Sequence, residues 1–176
     1  MAQEQKALDK SMASKENSVW TMDLQAVLMC ASIKAIALYY KTKLCERNMT
    51  YYNLGTNEAY CYTYVETQGD LSSNIFAQHF SDYITKDPTI NTAIIWSDGC
   101  GYQNKCAAVS NAFLKLASET KVCREHKYAA PGHTQMACDS VHRTIERRLV
   151  VDIFTPHDYA TVMQHSRPVP FPLCGN

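Results

Sequence analysis

The chain predicts a single α/β domain built on a mixed five-stranded sheet with flanking helices, and three observations carry that prediction. The run Ile94-Ile95-Trp96-Ser97 is largely apolar, then ends in Asp98 and breaks into Gly99-Cys100-Gly101, as a buried strand does when it delivers a carboxylate to the edge of an α/β sheet. Two β-rich runs, 48–54 and 59–66, are joined by Gly55-Thr56-Asn57, a hairpin-type connection. Beyond them, helical spacing alternates with short strand patterns. At 176 residues, with 46% hydrophobic and 19% charged, the chain is long enough to bury one full core.

Residues 1–18 read as a linker or helix remnant, because they carry charge without an apolar stripe. The core is expected over 19–154. At its start Trp20, Met22 and Leu24 share one face of a strand, with Thr21, Asp23 and Gln25 on the other, so a carboxylate sits inside a hydrophobic strand. Region 35–40 is apolar and fits either helix or strand. A helix is expected over 72–85, with Ile75, Phe76, Phe80, Tyr83 and Ile84 in one stripe, Asp70 or Ser72 as cap, and Pro88 beyond its end. After the strand that ends at Asp98, a helix over 103–118 places Val109, Phe113 and Leu116 on one side. A strand over 122–128, a break at Pro131-Gly132-His133-Thr134 and a strong helix over 136–149 complete the core. Residues 155–176 form a proline-punctuated C-terminal extension expected to wrap the surface.

The resulting order, β-β-β-α-β-α-β-α, is that of the ribonuclease H-like fold, in which the first strand lies beside the fourth. In this chain those strands carry Asp23 and Asp98. The last helix adds Asp139, His142 and Glu146 at i, i+3 and i+7 on one face, opposite a core stripe of Cys138, Val141, Ile145 and Leu149. Glu146 lies about 10 Å beyond Asp139 along the axis and is expected to pair with Arg143 or Arg147 instead. Three converging carboxylates suit Mg²⁺ or Mn²⁺, and two such ions can drive in-line displacement at a phosphodiester. Each acid also has a plainer use, since Asp98 can cap a helix or shape its turn and a polar helix face can simply be solvated.

Composition narrows the function. Lys+Arg and Asp+Glu are equal at 17 each, so no overall attraction to nucleic acid or anionic lipid is expected. The charges are segregated, however: 48–100 holds six acids and one base, whereas 121–148 holds six bases and three acids. The eight cysteines stand singly, without CxxC or zinc-finger spacing, and read as reduced thiols. Residues 1–18 lack the apolar core of a signal peptide and no run approaches membrane-spanning length, so an intracellular location and no membrane partner are expected.

Several residues admit more than one role. Cys100 with His133 could serve as thiol nucleophile and base, although no local signature supports the pair. His133 could equally orient a metal ligand, contact phosphate or fix the Gly132 turn. Gln103, Asn104 and Lys105 at a helix start could bind a phosphate or be ordinary N-terminal polar residues. The tyrosines at 39, 40, 51, 52, 60, 62 and 64 invite base stacking, but strand packing accounts for most of them.

Four blocks carry a family resemblance: Met22-Asp23-Leu24-Gln25-Ala26-Val27-Leu28, Tyr39-Tyr40-Lys41, Trp96 to Lys105, and Gly132 to His142. They resemble a transposable-element-derived domain of the transposase or integrase core type, found in arthropod and other animal proteins, over about 19–172. The resemblance implies metal-dependent cleavage or strand transfer on DNA, with Asp23, Asp98 and Asp139 as the catalytic, metal-binding triad and His133 and His142 in the motif around the third acid. The alternative is a domesticated, inactive domain that binds nucleic acid or protein. Backbone contacts are expected from Lys127, Arg143 and Arg147, and DNA binding by the isolated domain is expected to be weak. A second copy of the chain or fused domains are the other expected partners, and the expected location is nuclear.

Overall fold

The computed structural model describes residues 2–30, 32, 43–68, 89–100, 105–120, 122–129, 136–166 and 173–175. Their strands are β1 (Asn17–Leu24), β2 (Leu28–Cys30), β3 (Leu44–Asn53), β4 (Ala59–Val65), β5 (Thr92–Ser97), β6 (Cys123–Tyr128) and β7 (Leu173–Gly175). Their helices are α1 (Ala2–Ser11), α2 (Ala107–Thr120), α3 (Ala137–Arg148) and α4 (Pro156–Gln164). The helix expected over 72–85, the region 35–40 and the break at 131–134 lie outside the described residues.

One mixed sheet runs β6-β5-β1-β3-β4-β7, with β2 also paired to β3. The central antiparallel unit β1-β3-β4 turns at 55–57, where Asn53 Oδ1 accepts the amides of Gly55 and Thr56 and Asn57 takes a positive φ. β5 pairs parallel to β1, and β6 parallel to β5. An α/β mixed sheet is therefore present, with two short strands, β2 and β7, added to the five that the sequence predicts.

The alternation in β1 separates two cores. Trp20 and Met22 pack with Val109, Phe113 and Leu116 of α2, while Val19 faces Cys138, Val141 and Ile145 of α3 and Tyr159 and Met163 of α4. Both faces of the sheet are thus covered, which is why β5 is apolar on both sides. α2 starts at Ala107, later than the predicted 103, so Lys105 precedes the helix.

Neither flank is peripheral. α1 docks through a charge: Asp9 is fully buried and accepts from Lys127 Nζ (2.9 and 3.0 Å), Trp96 Nε1 (2.9 Å) and Gln5 Nε2 (3.0 Å). Desolvation opposes that carboxylate, but the three donors outweigh it and hold its pKa below the usual value. α4, inside the predicted surface extension, buries Tyr159 and Met163. Its start has a sequence signal, since Thr155 is the cap, Pro156 opens the helix, and Asp158 accepts the amides of Thr155 and Phe154 at 2.8 and 2.9 Å.

Candidate metal centre

The α3 face of the sheet carries a line of polar side chains where core residues would otherwise sit. Thr21, Gln25, Asn48 and Thr50 are all buried there. Each has a partner. Thr21 Oγ1 meets Cys138 Sγ at 3.3 Å, and Asn48 Nδ2 donates to Gln25 Oε1 at 2.9 Å. Gln25 Nε2 reaches Glu146 Oε1 at 3.4 Å, so the partner of Glu146 is the residue just past β1 and not the expected arginine. The polar line holds α3 in register on the sheet.

Asp23 lies directly across from Thr50 in the β1–β3 ladder, and α3 lays His142 over that cross-strand pair. His142 is buried. Its Nε2 bonds Thr50 Oγ1 at 3.0 Å, and its Nδ1 lies 4.0 Å from Asp23 Oδ2. Asp139, one turn earlier on α3, brings its carboxylate to the same place, because residues three apart share a helix face. One ligand atom from each of Asp23, Asp139 and His142 lies within 4.8 Å of the other two. Asp139 is also tied to its own helix start, since its Oδ2 accepts the amide of Met136 at 2.8 Å. The capping role and the site role coexist in one residue.

Asp98 belongs to the same end of the sheet without joining that group. The β1–β5 register pairs Thr21 with Trp96, and Asp23 and Asp98 each follow two residues later. Asp98 Oδ1 accepts the amide of Cys100 at 3.3 Å, which shapes the turn after β5. Its charge is still felt at Asp23. Desolvation first, then Asp139, then Asp98 raise Asp23 to about 7. Burial lowers the pKa of His142, with Asp139 and Glu146 pulling the other way.

The remaining predicted site residues divide by position. Arg143 and Arg147 are exposed on α3, one turn apart, and Arg143 follows His142 in the chain. Lys127 is committed to Asp9 and to Glu125 at 3.1 Å. Lys105 is exposed, with Nζ 5.8 Å from the Tyr128 ring centre. His133, Gln103 and Asn104 lie outside the described residues, and with His133 the proposed Cys100 pairing does too. Cys30, Cys45, Cys61, Cys100, Cys106 and Cys138 are free thiols. No described helix is long and apolar enough to cross a membrane.

Sequence reasoning passed over Thr50 and Lys6. Thr50 gives no signal, since threonine is ordinary in a strand and its role follows from pairing with Asp23. Lys6, half-buried on α1, has its ammonium pKa lowered by burial, with Cys138 and Asp139 opposing, so a cation from the N-terminal helix also feels this site. No protein-family model matches the chain, and no curated protein matches it.

Proposed function

We propose that this chain is a ribonuclease H-like domain of mobile-element origin that cleaves or transfers DNA strands at phosphodiester bonds, using Mg²⁺ or Mn²⁺ held by Asp23, Asp98 and Asp139. The observation that carries the reading is the meeting of Asp23, Asp139 and His142, with ligand atoms within 4.8 Å, at the carboxyl end of the parallel β1–β5 pair. The strand order supports it. Of the five predicted strands, the first lies beside the fourth, as that fold requires.

The residues fit a divalent cation. Two carboxylates and an imidazole offer hard oxygen and borderline nitrogen donors, and burial first, then the charges of Asp139 and Asp98, disfavour the Asp23 anion, a cost that a cation relieves. A bound ion supplies Lewis-acid stabilisation of a phosphodiester in displacement. The chain's own contribution is positional. β1 and α3 bring Asp23 and Asp139 together, the charge of Asp98 acts on Asp23 from the turn after β5, and the exposed Arg143 and Arg147 of the same helix α3 would hold backbone phosphates.

Titration of the full chain with Mn²⁺, followed by thermal melting and by nicking of supercoiled DNA, tests the proposal. A site that binds only the folded state stabilises it by about 2.7 kcal/mol at a hundred times Kd. Asp23→Asn should remove that shift, and Asp98→Asn should abolish Mn²⁺-dependent nicking. Absence of any Mn²⁺ shift, or nicking that survives Asp98→Asn, would overturn the reading. Salt-sensitive DNA binding without a cation effect would instead identify a non-catalytic binding module.

A further inference from the structure

We infer that His142 binds the cation directly through Nδ1, so that the first ion sits in a mixed nitrogen and oxygen site made by Asp23, Asp139 and His142. The inference rests on the reading above that this centre takes a divalent cation, and it changes the ligand set from three carboxylates. It also commits the site to a preference for first-row transition ions such as Mn²⁺ over Mg²⁺.

The ring is held in a ligating pose. Its side chain is 9% exposed, and a buried polar ring is expected to use both nitrogens. Nε2 is taken by Thr50 Oγ1. Thr50 Oγ1 has Cys61 Sγ at 3.7 Å as an outlet for its own proton, so the hydroxyl can accept from Nε2–H. That assignment leaves the lone pair on Nδ1, the nitrogen directed at Asp23. The opposite tautomer would place a proton on Nδ1, but 4.0 Å to Asp23 Oδ2 is too long for a hydrogen bond. Nδ1 makes no hydrogen bond to any described residue and has Asp23 Oδ2 4.0 Å away, while a ligand atom of the ring lies within 4.8 Å of a carboxylate oxygen of both Asp23 and Asp139.

A metal-bound imidazole is commonly oriented by a partner on its other nitrogen, and Thr50 occupies that position. Metal bonds of about 2.1 Å bring neighbouring ligand atoms to about 3 Å, so the ion must draw the three groups together by about an ångström. Rotation of the Asp23 carboxylate, which keeps 25% of its side-chain surface exposed, supplies that movement. Nitrogen ligation favours Mn²⁺ and later ions, because Mg²⁺ keeps its waters and prefers oxygen.

Pulsed EPR of the Mn²⁺-loaded full chain reads the bond directly. Expected is ¹⁴N modulation from one imidazole, lost in His142→Gln. Mn²⁺ affinity should fall at least tenfold in that variant while Mg²⁺ affinity changes less than threefold. Thr50→Val, which keeps Nδ1 but removes its orienting partner, should retain the ¹⁴N signal and weaken Mn²⁺ by about 10–100-fold. Bound Mn²⁺ without ¹⁴N modulation in the unaltered protein overturns the inference and leaves the proposed function standing. Modulation that persists in His142→Gln overturns it in the same way. Failure of the unaltered chain to bind Mn²⁺ overturns both. Because the decisive spectrum is taken on the unaltered protein, a variant that folds poorly does not blunt the test.

Discussion

His126 and His142 sit on opposite faces of one sheet, and their surroundings differ in kind. His126 lies against Phe113 on the α2 side, and both of its nitrogens are used. The Tyr128 hydroxyl donates to Nδ1 at 3.2 Å, Nε2 donates to Ser97 Oγ at 2.8 Å, and Ser97 passes its own proton to the Asp98 carbonyl at 3.0 Å. Desolvation lowers its pKa to about 4. It is a neutral strut, bonded at both ends. His142 on the α3 side is bonded at one end, with the other nitrogen 4.0 Å from Asp23 Oδ2 and the carboxylate of Asp139 in the same group. The comparison teaches that a desolvated histidine is informative only through its second nitrogen. When both are satisfied the ring serves the fold; when one remains directed at carboxylates, it is available to a ligand.

The largest test of this division removes core from the α2 face. Phe113→Ala should cost about 3–5 kcal/mol in urea unfolding, because its ring is buried among Trp20, Met22 and Leu116. Mn²⁺ affinity should be unchanged. A parallel loss of affinity would show that the two faces are not separable.

His126→Phe sharpens the comparison at smaller cost. It leaves Ser97 Oγ, fully buried, without its donor and should destabilise by about 1–3 kcal/mol while leaving Mn²⁺ binding intact. Loss of Mn²⁺ binding in this variant would instead mean that the strut positions Asp98 for the ion.

Acid titration separates the same groups by sign. His126 is neutral in the fold down to about 4, whereas the unfolded chain takes a proton near 6.5, so its contribution is lost as pH falls from about 6.5 to 4. Asp23 and Glu46 act oppositely. Burial raises both to about 7, and Glu46 Oε2 has no hydrogen-bond partner among the described residues. The folded state therefore holds extra protons, and stability is lost as pH rises from about 4 through 7. Chemical denaturation across pH 4–8 should show Glu46→Gln removing part of the loss at higher pH and His126→Phe flattening the loss at lower pH. Reversed signs would place these groups in the wrong environments.

The smallest expected effect on stability is at the α3 surface. Arg143→Ala with Arg147→Ala should change stability by no more than about 0.5 kcal/mol each. It should weaken DNA binding equally for all sequences and flatten its salt dependence by up to about one unit of slope per arginine. Sequence-dependent loss, measured by fluorescence anisotropy on several duplexes, would break the account of these residues as backbone contacts.

Much of this molecule was readable before folding. The Asp98 strand, the β1 alternation, the hairpin at 55–57 and the two-faced α3 helix all follow from local periodicity and turn chemistry, and these are short-range properties of a chain. The Asp139 and His142 spacing belongs with them, because i and i+3 share a face on any helix. α4 was also legible in its Thr155-Pro156-His157-Asp158 start, a cap followed by proline at the first helical position and an acid at the third.

Tertiary structure alone decided the rest. α1 lacks an apolar stripe, so its docking through Asp9 depends on Lys127 and Trp96, more than eighty residues away in sequence. Thr50 acquires a role only because the β1–β3 register sets it opposite Asp23 and beneath His142. The turn contact of Asp98 likewise arises in three dimensions, where one of its oxygens accepts the Cys100 amide after β5. Sequence fixes which residues share a face of one element. Which faces meet, and which donor each polar atom receives, depends on packing between elements distant along the chain, where no local periodicity carries the information.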